Sequence, residues 1–317
     1  MEPRKIIKFG KSSYVVSIPK EWMEEHNIKK GDSIFLDRTP EGELILSAKE
    51  KENTQEPKKV TMDIEKRNFW AIKRELNFFY IDNFDLIILK GNHQDKEKIE
   101  NLVKKLIGLQ IVENSIDLMI IKNVLDLSNI TTQDVFRRAD NLIRSMFLEL
   151  RECLNQNNRC SEKIKIIYNT DLEVNALYFL LMKIIRKAFK DRNYAAKIGK
   201  DALELNYLHH SILNVEIIGD HIKRIAKSIP SARLKSKNIQ DICLILELIE
   251  KSYKDTMTAH YTNNQEIARR VAEETREIKE KAEQLATGTK NSDIGGMSEH
   301  FKEIASRLHF ISKILAY

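Results

Sequence analysis

Two groups of residues have the types and spacing to do chemistry. The first is a carboxylate pair, Glu216 and Asp220, four apart in a run that reads as helix, so that both fall on one face, where like charges repel. That face needs positive compensation. Two sources are open: a hard cation held by carboxylate oxygens, or Arg224, which lies one turn further along the same face. The second group is basic. Residues 1–13 hold Arg4, Lys5, Lys8 and Lys11 against Glu2 alone, and the hydroxyls of Ser12 and Ser13 follow directly. Attraction to a phosphate backbone requires such a local concentration of positive charge. The competing reading makes Lys5 and Lys8 the solvated face of an edge strand, where lysine blocks aggregation. Gly10-Lys11-Ser12 is not the end of a phosphate-binding P-loop, because Lys5 stands five positions before Gly10 and no strand-to-helix context follows.

The basic group sits in a stretch, residues 4–48, with the signals of a small β-module. Residues 4–9 and 14–18 are β-rich runs joined by Gly10-Lys11-Ser12-Ser13, a hairpin signature. Pro19 opens a helical turn over residues 20–26, since a proline there gives up no needed donor. Gly31-Asp32 makes the next turn, and residues 33–37 and 43–47 form a second hairpin around Pro40-Glu41-Gly42. A module of about 45 residues buries too little apolar surface to stand alone, so two copies are expected to share one core.

The order of basic strand, Gly-Lys-Ser-Ser loop, Val-Val-Ser-Ile-Pro-Lys-Glu-Trp, Ile-Lys-Lys-Gly-Asp and closing hairpin resembles an AbrB/MazE/SpoVT-type swapped-hairpin domain over roughly the first fifty residues. The resemblance implies an interlocked homodimer that binds DNA through its basic first strand and the following loop. It assigns Arg4, Lys5, Lys8, Lys11, Ser12 and Ser13 to the DNA contact.

Residues 49–59 are polar, charged and contain Pro57, and read as a linker. A mixed segment follows. Helices are expected over residues 67–80 and 95–106, and strands over 84–90, 110–112 and 115–121. No cluster of acid, base or nucleophile marks this segment, which reads as a connecting domain at about 60–125. From residue 131 onward the spacing is helical throughout. Thr131 or Thr132 caps a helix to about residue 155, whose stripe runs through Val135, Phe136, Ala139, Leu142, Ile143, Met146, Phe147 and Leu150. Helices over 171–189 and 194–229, the latter stopped by Pro230, complete a trio. A second trio covers 239–261, 265–285 and 297–316, with a loop from Gly288 to Gly296. Two three-helix units of roughly 90 residues imply a tandem repeat packed as one bundle.

The Glu216 stretch, together with Asp171-Leu172-Glu173-Val174-Asn175-Ala176-Leu177-Tyr178 and the doubled trio, resembles a PhoU-type phosphate-uptake regulator over residues 130–317. What the resemblance implies is a metal held by Glu/Asp-x-x-x-Asp motifs, a divalent or iron-type ion. Glu216 and Asp220 match one motif. Asp171 matches another, with Asn175 in place of its acid. The second repeat departs from the pattern: Lys302 and Ser306 stand where Glu216 and Asp220 stand in the first, and a charged lysine cannot be a ligand, so any metal site is single.

The composition bounds the rest. A chain of 317 residues is long enough for two or three domains, and 32% charged residues with only 10 Gly and 5 Pro point to long solvated helices. A net charge of +6 fits a basic patch rather than a uniformly basic protein. Three cysteines, Cys153, Cys160 and Cys243, make neither a disulfide framework nor a thiolate metal site and suit a reducing cytoplasm. No secretory leader opens the chain and no apolar run reaches a membrane-spanning length, so no membrane insertion is expected. No histidine has a glutamate three residues before it, as di-iron bundle enzymes require, and His209 and His210 read as polar residues of an exposed face, so no enzyme is expected.

The expected fold class is therefore α+β: a swapped-hairpin β domain at 1–50, the small α/β segment, then a mainly α tandem three-helix bundle at 130–317. The expected function is a cytoplasmic DNA-binding transcriptional regulator of phosphate uptake or response, homodimeric through its N-terminal module. The alternative is an adaptor that does not bind DNA and acts through the bundle on a phosphate transporter or signalling protein.

Overall fold

The structure, a computed structural model, describes residues 3–38, 42, 44–48, 57–155 and 160–316. The turn expected at 40–42 and the linker expected at 49–59 lie largely outside these residues. The chain divides into two compact units, Met1–Glu56 and Pro57–Tyr317.

In the first unit β1 (Ile7–Phe9) pairs antiparallel with β2 (Ser13–Val15), Ile7 opposite Val15 and Phe9 opposite Ser13. The turn between them passes through Gly10 at φ +69°, a conformation glycine adopts without a Cβ penalty. The short helix α1 (Lys20–Glu25) follows Pro19, and β3 (Phe35–Arg38) pairs antiparallel with β4 (Leu44–Ser47). Both strands of the first hairpin are shorter than the runs at 4–9 and 14–18, with three paired positions in the ladder.

The second unit opens with a four-stranded sheet. Its elements are β5 (Lys59–Asp63), α2 (Phe69–Ile81), β6 (Leu86–Lys90), α3 (Lys96–Lys105), β7 (Leu109–Asn114) and β8 (Leu118–Asn123). The strand order is β5-β6-β8-β7, with β5 parallel to β6 and the other pairs antiparallel. Strand β5 is not among the strands expected from the sequence, and it meets the expected linker only at Lys59. Lysines and Pro57 mask its pattern in the sequence, yet Met62 is buried and Val60 packs against the same core as Ile72, Leu76, Ile87, Leu89 and Ile121.

Among the described residues seven α-helices follow: α4 (Thr132–Asn155), α5 (Cys160–Lys190), α6 (Arg192–Ile198), α7 (Ala202–Ala232), α8 (Ser236–Thr262), α9 (Gln265–Thr287) and α10 (Ser292–Ala316). The start of α4 is fixed by Thr131, whose Oγ1 accepts from the Asp134 amide at 3.1 Å. One continuous apolar core runs through both trios, from Phe136, Ile143 and Leu150 to Phe301, Ile304 and Leu308.

Four boundaries differ from expectation. Helix α5 begins at Cys160 rather than near 171, because Ile167 carries the buried stripe of Val174 and Leu177 back by two turns. The helix expected over 194–229 is two. Gly199 at φ +64° closes α6, and a capping box between Asp201 and Glu204 opens α7. Pro230 does not stop α7, which runs on to Ala232; in the last turn a proline forfeits one rung and the helix ends at Arg233 in the left-handed conformation. Gly295 and Gly296 lie inside α10, which Asn291 opens by accepting from the Asp293 amide at 2.9 Å.

The sheet and the bundle are joined through Asp82, which is 7% exposed and sits just past α2. Its carboxylate accepts from Arg186 Nε at 2.6 Å, Lys190 Nζ at 2.5 Å and Lys58 Nζ. Beside it the Asn83 amide donates to the Lys183 carbonyl at 3.1 Å. At the far end of α5, Cys160 is disulfide-bonded to Cys153 in the last turn of α4, with Cα atoms 4.3 Å apart, a pairing that departs from the reading of the cysteines as reduced; Cys243 is free.

Candidate functional site

The basic group runs from Arg4 and Lys5, ahead of β1, through Lys8 on β1 to Lys11 and Ser12 in the turn and Ser13 at the start of β2, and every residue from Pro3 to Ser17 is exposed. Lys8 lies opposite Tyr14 in the ladder, and Lys11 and Ser12 occupy the tip between Phe9 and Ser13. Among the described residues Lys5, Lys8 and Lys11 have no ion-pair partner, so their charge faces solvent. Around them the same strands expose apolar side chains: Ile6 at 72%, Ile7 at 61%, Phe9 at 69% and Tyr14 at 69%. No described residue of the unit is buried. The arrangement therefore offers positive charge for polyanions and an apolar surface with nothing to cover it inside one chain.

The carboxylate group is built by α5 and α7. Gly219, beside Asp220, lets α7 pack close on α4: a Cβ there would stand 2.9 Å from Ile143 Cδ1. The close packing fixes the face that carries Glu216 and Asp220 and turns it toward Asp171 of α5. Between the two aspartates lies an ammonium group. Lys223 Nζ donates to Asp171 Oδ2 at 2.6 Å and to Asp220 Oδ1 at 2.5 Å. Arg224 reaches only the outer oxygen of Asp220, at 3.4 Å. The positive compensation on this face is thus chiefly Lys223, which sequence reasoning passed over although its i,i+3 spacing from Asp220 was there to be read.

The protonation of the group follows from burial and this lysine. Burial opposes charge on Asp220, but the Lys223 and Arg224 contacts outweigh it and hold the carboxyl below its ordinary value. Burial raises Asp171, despite the Lys223 contact. Glu216 has no ion-pair partner among the described residues; burial and the charges of Asp220 and Asp171 push it up to about 7. Asn175, in the place of an acid, turns back to donate to the Asp171 carbonyl at 2.9 Å.

Fit to a metal can be judged from these donors. Asp171 Oδ1 is buried without a hydrogen-bond partner, which is an acceptor to spare. The ammonium of Lys223, however, occupies the position between Asp171 and Asp220, and among the described residues no three His, Cys, Asp or Glu side chains converge on one point. In this arrangement the carboxylates fit a salt-bridged face and not a metal site. In the second repeat Lys302 is paired with Glu283 at 2.8 Å and Glu299 at 2.7 Å, and the Ser306 hydroxyl donates to the Lys302 carbonyl.

A further feature carries no signal in the sequence. A half-open cavity of about 660 Å³ lies where the start of α4, the α6–α7 junction and the end of α8 meet, walled by Thr131, Lys197, Lys200, Tyr207, His260 and Tyr261. His209 and His210 stack on each other, and His210 lies edge-on to Phe310. Among the described residues no helix is long and apolar enough to cross a membrane.

Comparison with known proteins falls on the same two regions. Residues 7–54 match the family model described as antidote-toxin recognition MazE, bacterial antitoxin. Residues 136–229 match that of the PhoU domain. No curated protein matches the chain. Among solved structures, the phosphate transport system regulatory protein PhoU from Streptococcus pneumoniae is similar at 16% identity and a TM-score of 0.46, over 59% of this chain and 93% of that one.

Proposed function

We propose, for a chain that matches a MazE-type model over residues 7–54 and a PhoU domain over residues 136–229, that it is a cytoplasmic DNA-binding regulator of the phosphate response. The N-terminal module dimerises and grips DNA, and the bundle receives the signal. The observation that carries the DNA reading is the exposed hairpin on which Lys5, Lys8 and Lys11 stand without ion-pair partners among the described residues. Arg4 precedes β1 in the same exposed run, and Ser12 and Ser13 supply hydroxyl donors at and beside the tip. Phosphate contacts of this kind set affinity and register, while sequence preference comes from base edges or DNA shape.

The apolar side chains exposed beside the lysines support dimerisation. A second copy covering Ile6, Ile7, Phe9 and Tyr14 supplies the core that one copy lacks. In the bundle, the match to a PhoU domain supports a role in phosphate regulation exerted through protein contacts.

The test is DNA affinity of the full chain against salt, compared with a Lys5→Ala, Lys8→Ala, Lys11→Ala triple variant. Removing three phosphate contacts lowers the slope of log affinity against log salt by about 3 for each module engaged, and weakens binding roughly equally on all fragments. An unchanged slope places the contact elsewhere. If the unaltered chain shows no binding at low salt, the adaptor reading takes its place.

A further inference from the structure

Away from the carboxylate face, α7 and α10 bring together two histidines that are 79 residues apart in the chain. His221 Nδ1 and His300 Nδ1 are 3.1 Å apart, with ring centroids separated by 5.2 Å and the ring planes at 46°. His221 follows Asp220 on the helix of the first repeat, and His300 belongs to the last helix of the second. Both are partly exposed, so solvent and small ions reach them.

Two imidazole nitrogens facing at this distance have two chemical explanations. One is a single shared proton, N–H to lone pair, with each ring held in one tautomer. The other is a common ion. Zinc–imidazole bonds are about 2.0–2.1 Å, so two nitrogens on one ion stand roughly 2.9 Å apart at a right angle and roughly 3.4 Å apart at the tetrahedral angle. A separation of 3.1 Å lies inside that interval and corresponds to an N–metal–N angle of about 100°. Burial, the neighbouring ring and Arg224 keep both imidazoles below their ordinary pKa, His221 at about 4, so both rings are uncharged at neutral pH. A neutral imidazole has one ring nitrogen with a free lone pair, so an ion takes both Nδ1 atoms when each ring carries its proton on Nε2. Around the pair Glu299 and Glu303 act from the negative side and Arg224 and Arg307 from the positive, leaving the surroundings close to neutral.

We propose that His221 and His300 form a two-imidazole site for a borderline divalent transition ion of the zinc class, with water completing the sphere, which ties the third helix of the first repeat to the last helix of the second. Neutral nitrogen donors suit such ions, whereas magnesium and calcium call for oxygen. The site is separate from the carboxylates: it uses neither Glu216 nor Asp171, and it stands whether or not the chain binds DNA. Its consequence is mechanical. A bound ion fixes α7 against α10 and so couples the two repeats of the bundle.

Zinc chloride titrated calorimetrically into the full chain is the probe, with His221→Gln, His300→Gln and Glu216→Gln beside the unaltered protein and circular dichroism to check folding. The expected result is one saturable equivalent in the unaltered chain, weakened at least about tenfold by either histidine substitution and kept by Glu216→Gln. Binding retained by either histidine variant overturns the proposal, as does its loss in Glu216→Gln, which moves the ion to the carboxylates. Should a histidine variant misfold, electron paramagnetic resonance of the unaltered chain carrying one equivalent of Cu²⁺ decides: splitting from two imidazole nitrogens supports the site, and its absence overturns it.

Discussion

In the N-terminal module Ile6, Ile7, Phe9, Tyr14, Leu36 and Leu44 are each more than 60% exposed, whereas in residues 57–317 Ile72, Leu89, Ile143, Ile218 and Phe301 are at zero. Both regions are rich in apolar side chains, so hydrophobicity does not separate them. Size and periodicity do. The long helices repeat their apolar residues every three or four positions and can lay one stripe on another, and the sheet of the same unit has two helices to cover it. The short strands of the module have only three or four rungs each, and their apolar faces look outward. The comparison teaches that the second unit covers its apolar side chains within one chain while the first leaves them exposed.

That contrast can be broken by experiment. The largest effect is expected from Leu36→Asp, which places a charge on the apolar face of the module. A leucine buried against a second copy contributes about 1.5–3 kcal/mol, and in a symmetric pair the loss counts twice, so dimer affinity falls about a hundredfold or more. Sedimentation measures it; the helical circular dichroism of residues 57–317 stays unchanged.

In the second unit Lys183 sharpens the comparison, because there a charge is buried without a hydrogen-bond partner. Its side chain is 0% exposed, Nζ has no hydrogen-bond partner, and it lies 4.3 Å from the centroid of the Tyr80 ring. Burial lowers its pKa from 10.5 to about 8. A base whose folded pKa is depressed binds fewer protons folded than unfolded between those values, so stability rises with pH from about 8 to 10.5 and the cost is fully present below 8. Lys183→Met is expected to stabilise the unit by about 3 kcal/mol at pH 7 and to flatten that rise, as read by urea unfolding at pH 7 and pH 10.

The smallest effect is expected at the junction of sheet and bundle. Asp82→Asn leaves Lys58, Arg186 and Lys190 without their shared anion, and because these cations reach solvent the loss is about 1–2 kcal/mol. A thermal melt that splits into two transitions would show that sheet and bundle depend on this residue for their cooperativity.

How far the sequence carries can be argued from single elements. Helix α4 is legible almost to the residue, because Thr131 caps it and its stripe runs unbroken from Val135 to Leu150. The β1–β2 hairpin is legible because Gly10 and the flanking runs agree. Strand β5 is hidden because its Val60 and Met62 are flanked by lysines and a proline, and only the parallel pairing with β6 draws them inward. The carboxylate face is half legible. Its spacing announces a need for positive charge, but whether Lys223 or Arg224 supplies it depends on which side chain reaches across to Asp171, which belongs to another helix. The approach of His221 to His300 is a product of the packing of α7 on α10, and no local pattern records it.

The measurement that bears most directly on the account is DNA binding by the full chain and by residues 57–317, each titrated against the same genomic fragments from low to high salt. The account predicts that the full chain binds with an affinity that falls steeply as salt rises and that residues 57–317, folded as judged by circular dichroism, do not bind. Equal binding by the two, or none by the full chain, would contradict it.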